Sequence, residues 1–111
     1  MRLIKFRAWN KQLKHMYESV DIRDFRIHNY FRDTTEELIL MQFTGLHDCK
    51  RKEIYEGDII KTYNSQYLYV KWDYDQWGLF DGICNEASID RDNDEVIGNV
   101  YENPELLENA Q

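Results

Sequence analysis

Met41-Gln42-Phe43-Thr44-Gly45-Leu46 and, after a polar loop, Glu53-Ile54-Tyr55-Glu56-Gly57-Asp58-Ile59-Ile60 decide the fold class of this chain. Thr34-Thr35-Glu36-Glu37 just upstream has the form of a helix capping box. The apolar run that follows, Leu38 to Phe43, is only six residues long and stops at Thr44-Gly45. That is too short for a stable helix and suits a buried strand. Glu56-Gly57-Asp58 then reads as a tight turn, in which Gly takes positive φ and Asp caps its own backbone. The segment is therefore strand, turn at Gly45, polar loop over 48–52, second turn at Gly57, strand.

Moving outward, the same alternation recurs. Ile4, Phe6 and Ala8 alternate with Lys5 and Arg7, predicting a half-buried strand with one basic face. Asn10-Lys11-Gln12 turns it, and Leu13 to Tyr17 returns. In residues 20–31 the apolar parity switches near Asp24, which fits a bulged strand or a loop. Ile59 to Tyr63, a turn at Asn64-Ser65, Gln66 to Trp72, Trp77 to Phe80 and Val96 to Tyr101 complete the set. On the strand before the aromatic turn, Leu68, Val70 and Trp72 share one parity and should point inward; Tyr67, Tyr69 and Lys71 share the other and should form an exposed face. Asn103-Pro104-Glu105 supplies an N-cap, a Pro at the first helical position and an acid in the first turn of a short C-terminal helix. Many short strands punctuated by turns predict a mainly β, small antiparallel, barrel-like fold. Residues 53–101 are similar to small SH3-like barrels. One domain spans 1–111, with an N-terminal β part over 1–52, an SH3-like part over 53–108 and a loose tail over 109–111.

Composition narrows the function classes. The 111 residues carry a net charge of −7, which disfavours general binding to phosphate backbones. The charge is unevenly spread. Residues 1–55 hold 11 Lys/Arg against 8 Asp/Glu (+3), whereas 56–111 hold 3 against 13 (−10). Lys5, Arg7, Lys11 and Lys14 form a basic stripe at the start. This pattern implies either neutralisation within one fold or complementary contact with another chain. No apolar run approaches the roughly 18 residues of a membrane span, and the N-terminus lacks the pattern of a signal peptide. Two cysteines, Cys49 and Cys84, do not make a disulfide framework. A cytoplasmic chain with free thiols is the simpler expectation.

Three separated segments resemble the YopX-like family of phage and prophage proteins. They are Ile4-Lys5-Phe6-Arg7-Ala8-Trp9, the Met41–Leu46 and Glu53–Ile59 stretch, and Val96-Ile97-Gly98-Asn99-Val100-Tyr101-Glu102-Asn103-Pro104-Glu105-Leu106. They cover roughly a third of the chain, in order. Two positions depart from the family pattern: Asn10 stands where Asp is usual, and Asp48-Cys49-Lys50-Arg51 replaces Asp-Lys-Asn-Gly. The resemblance implies a phage or prophage origin and a mostly β fold. It brings no catalytic residues, and residues 13–37 and 62–94 carry none of its motifs.

Chemistry-bearing motifs are sparse. Asp90-Arg91-Asp92-Asn93-Asp94-Glu95 has acids at the first, third and fifth positions of a calcium loop. It lacks the Gly and the distal Glu that such a loop needs, so a solvated acidic turn is expected. His15, His28 and His47 have no paired spacing, and His47 with Cys49 is only half of a zinc site. Glu53, Glu56 and Asp58 belong to a turn before they suggest acid–base work. No catalytic residue, metal site or cofactor is therefore expected. The aromatic cluster Tyr63, Tyr67, Tyr69, Trp72, Tyr74, Trp77 and Phe80, among Asp73, Asp75 and Asp81, suits a protein or peptide better than nucleic acid. The expectation is a non-enzymatic protein-binding or self-associating module, with Trp9, Tyr67, Tyr69, Lys71, Tyr74 and Trp77 as contact residues. The alternatives are a nucleic-acid-associated protein using the basic stripe, or an enzyme with an unrecognised site.

Overall fold

A computed structural model describes residues 5–20, 38–73, 76–81 and 85–108. The chain divides into two compact units, Met1–Phe43 and Thr44–Gln111. Ile4, Tyr74, Cys84, the 20–31 bulge (beyond Val20) and the 109–111 tail lie outside the described residues.

In the first unit, β1 (Phe6–Asn10) pairs antiparallel with β2 (His15–Val20) on one side and with β3 (Leu38–His47) on the other. The β1–β2 turn uses Asn10, whose side-chain oxygen accepts from the Leu13 N–H at 2.9 Å, and Lys14 in the left-handed region. Ala8 is fully buried, with Tyr17, Leu38 and Leu40 packed against it. The expected half-buried strand with one basic face is corrected here: Arg7 is only 6% exposed and Trp9 only 7%. Residues of both parities are buried along β1, Arg7 and Trp9 on one side and Ala8 and Asn10 on the other, so both of its faces are covered; a two-residue period marks faces without saying which one meets water.

β3 does not stop at Thr44-Gly45 as its sequence suggests; it runs ten residues to His47. Gly45 adopts φ +87° inside the strand, and a Cβ there would meet nothing within 4 Å. Backbone conformation alone calls for glycine at this position. In the second unit Thr44 Oγ1 donates to the Ile54 carbonyl at 2.7 Å and accepts from the Leu46 N–H at 3.1 Å. This joins the end of β3 to its neighbour β4 (Glu53–Tyr55).

The rest of this unit is a five-stranded antiparallel sheet in the order β8-β7-β6-β5-β9, where β5 is Asp58–Lys61, β6 Tyr67–Asp73, β7 Gln76–Phe80, β8 Asn85–Ala87 and β9 Glu95–Asn99. Ile60, Leu68, Val70, Leu79 and Val96 meet Ile54 in one core cluster, with Leu46, Trp77 and Ile89 packed against it. Their positions agree with the strand register: Ile60 sits opposite both Leu68 and Val96, and Val70 opposite Leu79. The Glu56-Gly57 turn forms as expected. Asp58 is buried and its carboxylate accepts from the Tyr55 N–H at 2.8 Å, while Gly57 takes φ +87°. A single-turn helix, α1 (Glu105–Glu108), closes the described chain and lies against β6. The fold is thus mainly β with one short C-terminal helix among the described residues.

Candidate interaction surface

Polar side chains in the second unit are spent on turns before anything else. Asp48, 5% exposed, accepts from the Lys50 and Lys52 N–H groups through Oδ1, both at 2.8 Å, and from the Val96 N–H through Oδ2 at 2.9 Å. The Cys49 N–H donates to the Asp94 carbonyl at 2.9 Å, and Lys50 pairs with Glu95 at 2.9 Å. The 48–52 loop is thereby clasped to the start of β9. Burial pushes the Asp48 carboxyl up, but the three N–H donors and the nearby Lys52 charge outweigh it and hold it below the usual carboxylate range. Arg51 sits at φ +68°, the conformation that the glycine of an Asn-Gly turn would take. The turn survives the loss of that dipeptide.

The acidic run at 90–95 is likewise self-consumed. Asp94 Oδ2 accepts from the Asp90 N–H at 2.7 Å, Asp90 Oδ1 accepts from the Asp92 N–H at 3.0 Å, and Asn93 Nδ2 donates to Asp90 Oδ2 at 2.8 Å. Asp94 is buried, and this pushes its carboxyl above the usual range. It is therefore not wholly the solvated turn that the sequence suggests. Among the described residues no group of three or more His, Cys, Asp and Glu side chains converges as a metal site would. Cys49 is exposed as a free thiol.

At the third motif, Asn99 Oδ1 accepts from the Tyr101 and Glu102 N–H groups at 3.0 and 2.8 Å, and Asn99 Nδ2 donates to Glu102 Oε1 at 2.7 Å. The Asn103 side chain does not cap α1 as expected. Its Oδ1 accepts from the Asn99 N–H at 3.2 Å, and a Cβ on Gly98 would lie 2.5 Å from that oxygen.

What remains available is aromatic. The β6–β7 hairpin sets Trp72 opposite Trp77, rings crossed edge to face at 76° with centroids 4.9 Å apart. Trp77 is half-buried against the core, and its indole N–H is buried without an acceptor. Trp72 was expected to point inward with Leu68 and Val70; instead it is 42% exposed. Its parity does place it on the core side of β6, but it lies past the end of the core. On the other face Tyr69 sits 6.1 Å from Phe80, with Lys71 Nζ 5.3 Å from the Phe80 ring centre. Tyr67 and Tyr69 are half-buried and Lys71 is exposed. Tyr63, 79% exposed, stands in the β5–β6 turn, at the opposite end of β6 from Trp72.

The remaining sequence candidates separate. Trp9 and Arg7 are buried and present no contact surface. Lys5 is half-buried, its Nζ 5.2 Å from the Phe43 ring centre, while Lys11 and Lys14 are exposed. Trp72 is not among the contact residues that the sequence singles out; the signal for it is its place near the end of β6, at the limit of the apolar alternation.

These features define a small, mainly β protein whose polar motifs build turns and whose exposed aromatic residues, Trp72 and Tyr63, lie at opposite ends of β6. The family model described as "YopX protein" matches residues 5–108. The chain belongs to the YopX family of phage and prophage proteins. Its fold is similar to that of protein EF1440 from Enterococcus faecalis, seen in a crystal structure, with a TM-score of 0.67 and 25% sequence identity over 96% of this chain and 99% of that one. Among curated proteins, none matches this sequence. Among the described residues no helix is long and apolar enough to cross a membrane.

Proposed function

We propose that this chain is a non-enzymatic phage or prophage accessory protein of the host cytoplasm, acting as an SH3-like module that binds another protein through the end of its β6–β7 hairpin. The observation that carries this reading is the exposure of Trp72, held edge-on against a Trp77 anchored in the core. Exposed aromatic rings on rigid supports are the residues that dominate protein interfaces. The −10 balance of residues 56–111 favours a basic partner. The nucleic-acid alternative has less support, because Arg7 is buried within the basic stripe.

The test is comparative capture from host lysate by the wild-type chain, Trp72→Ala and Tyr63→Ala, with sedimentation of the chain alone to detect self-association. Trp72→Ala should weaken capture or self-association by about 30-fold, the scale of a hot-spot tryptophan, and Tyr63→Ala should not. Equal behaviour of all three proteins would defeat the proposal. Capture dominated by nucleic acid, with steep loss on adding salt, would favour the alternative.

A further inference from the structure

Independently of the Trp72 reading, we propose that the opposite end of the second unit binds single-stranded nucleic acid, with phosphates on Arg51, Lys52, Lys61 and Arg91 and a base stacked on Tyr63. The first observation is where the cations lie. Residues 44–111 hold six Lys/Arg, and five of them share this end. Lys50, Arg51 and Lys52 stand in the 48–52 loop, clasped to β9 by Asp48 and by the Cys49 N–H. Arg91 stands in the 90–94 turn, whose Asp94 carbonyl accepts from that same Cys49 N–H. Lys61 lies opposite both Glu95 on β9 and Tyr67 on β6. All five cations are exposed. Among the described residues only Lys50 of the five has a carboxylate within ion-pair distance.

The second observation is that the acids of this end turn inward. Asp48 and Asp94 are buried. Asp48 spends both oxygens on three N–H groups, and Asp90 spends both on the Asp92 N–H and the Asn93 amide. Glu95 is half-buried and held by Lys50, which leaves Asp92 as the exposed acid of the 90–95 run. The layer that a ligand meets is therefore basic despite the net charge of −7. Exposed acids elsewhere on the chain are largely screened beyond about 8 Å at physiological salt. The third observation is Tyr63, 79% exposed two residues beyond Lys61. Its turn is fixed: the Thr62 N–H donates to the Gln66 carbonyl at 2.9 Å, the Ser65 N–H to the Thr62 carbonyl at 2.9 Å, and Thr62 Oγ1 accepts from the Gln66 N–H at 3.0 Å. A ring held clear of the core beside cations stacks an unpaired base. A duplex keeps its base faces covered, and an acidic peptide answers the cations without using the ring.

The experiment is fluorescence anisotropy of the full chain with labelled oligothymidylate and oligouridylate, competed by duplex DNA and by polyglutamate. Both strands should bind, the tighter one naming DNA or RNA as the partner, and duplex should compete at least about fivefold less well. The logarithm of affinity should fall with that of salt at a slope of about −2 to −3, from three or four phosphates. Tyr63→Ala should weaken binding at least about fivefold. Lys61→Gln/Arg91→Gln should weaken it at least about tenfold and shrink the slope by about 1.4. Both variants alter exposed side chains and should keep the wild-type circular dichroism spectrum, and Trp72→Ala should bind as wild type. Absence of binding at low salt, equal competition by duplex or polyglutamate, indifference to Tyr63→Ala, or a comparable loss in Trp72→Ala would each overturn the inference. Failure here with Trp72-dependent protein capture intact would sink this site and leave the protein-binding reading standing.

Discussion

Replacing Asp48 by Ala should remove a substantial part of the second unit's stability. The carboxylate serves three backbone donors: Lys50 and Lys52 in its own loop, and Val96 on β9, 48 residues away in sequence. The three are not equivalent. Lys50 and Lys52 are exposed residues, so water can replace the lost acceptor at modest cost. Val96 is buried, and its N–H would be left without a partner, which costs about 1–3 kcal/mol. With the loop bonds added, Asp48→Ala should cost about 2–4 kcal/mol out of the roughly 5–15 kcal/mol typical of a domain. Asp48→Asn keeps an oxygen for one side of the site but loses the charge and turns an amide donor toward another donor, and should fall between Ala and wild type. The assay is urea unfolding followed by tryptophan fluorescence at neutral and acid pH. The folded carboxyl is held low, so its contribution is fully present above the unfolded carboxyl pKa of about 3.9 and is lost as pH falls through the folded value. Wild type should therefore approach Asp48→Ala in strong acid. A neutral-pH cost for Ala below about 0.5 kcal/mol, or a cost that does not shrink in strong acid, would refute the assignment of Asp48 as the clasp of this loop.

Three further outcomes follow from the turns. Arg51 holds φ +68° without being Gly, so Arg51→Gly should raise stability by about 0.5–1 kcal/mol, the left-handed strain relieved less the added unfolded-state entropy; denaturant midpoints check this. Gly98→Ala should cost about 1–3 kcal/mol through collision with the Asn103 side chain, and the cost should shrink in an Asn103→Ala background because the two closest atoms are gone. Asp94 has the opposite sign to Asp48. Its folded pKa is raised by burial, helped by the charge of Asp90 and opposed by the Asp90 N–H. The folded state therefore binds the extra proton between the unfolded and folded values, and stability falls as pH rises through that window. Asp94→Asn should flatten this slope and be more stable than wild type at pH above the window, as melting curves across mildly acid pH would show.

Apart from β8 (Asn85–Ala87), which no sequence signal marks, the second unit is legible strand by strand because its turns are chemically specific. Gly57 with Asp58, Asn64-Ser65 and the alternation of Leu68 and Val70 each name one local structure. Three elements escaped for definite reasons. β1 reads as half-exposed because alternation distinguishes two faces and does not count what covers each; Arg7 is buried all the same. Gly45 reads as the end of a strand because Thr-Gly is a turn pair, yet a positive φ also fits within a strand that then continues to His47. Asn103 before Pro104 has the right type for an N-cap. A missing side chain at Gly98 opens a nearer site, and the amide turns back to the Asn99 N–H. For the interaction surface, residue type was legible and exposure was not. Parity points to Tyr67, Tyr69 and Lys71, whereas the exposure of Trp72 depends on how far the core extends along β6.

Two of the three segments that carry the family resemblance are thus largely accounted for as structure. Thr44 ties β3 to Ile54, Asp58 closes the Gly57 turn, and Asn99 and Asn103 close the turn after β9. A motif residue committed to a buried backbone partner cannot also face a ligand without leaving that partner unsatisfied. Sharing these motifs therefore fixes the scaffold and leaves the partner open. The Trp72–Trp77 pair lies within residues 62–94, outside every one of the motifs. Transplanting the β6–β7 hairpin of this chain onto the scaffold of EF1440, whose fold is similar over 99% of its length, should carry the binding preference with it. The reciprocal chimera should keep its stability and lose that preference. If binding instead stayed with the motif-bearing scaffold, the division between scaffold and partner surface drawn from these hydrogen bonds would be wrong.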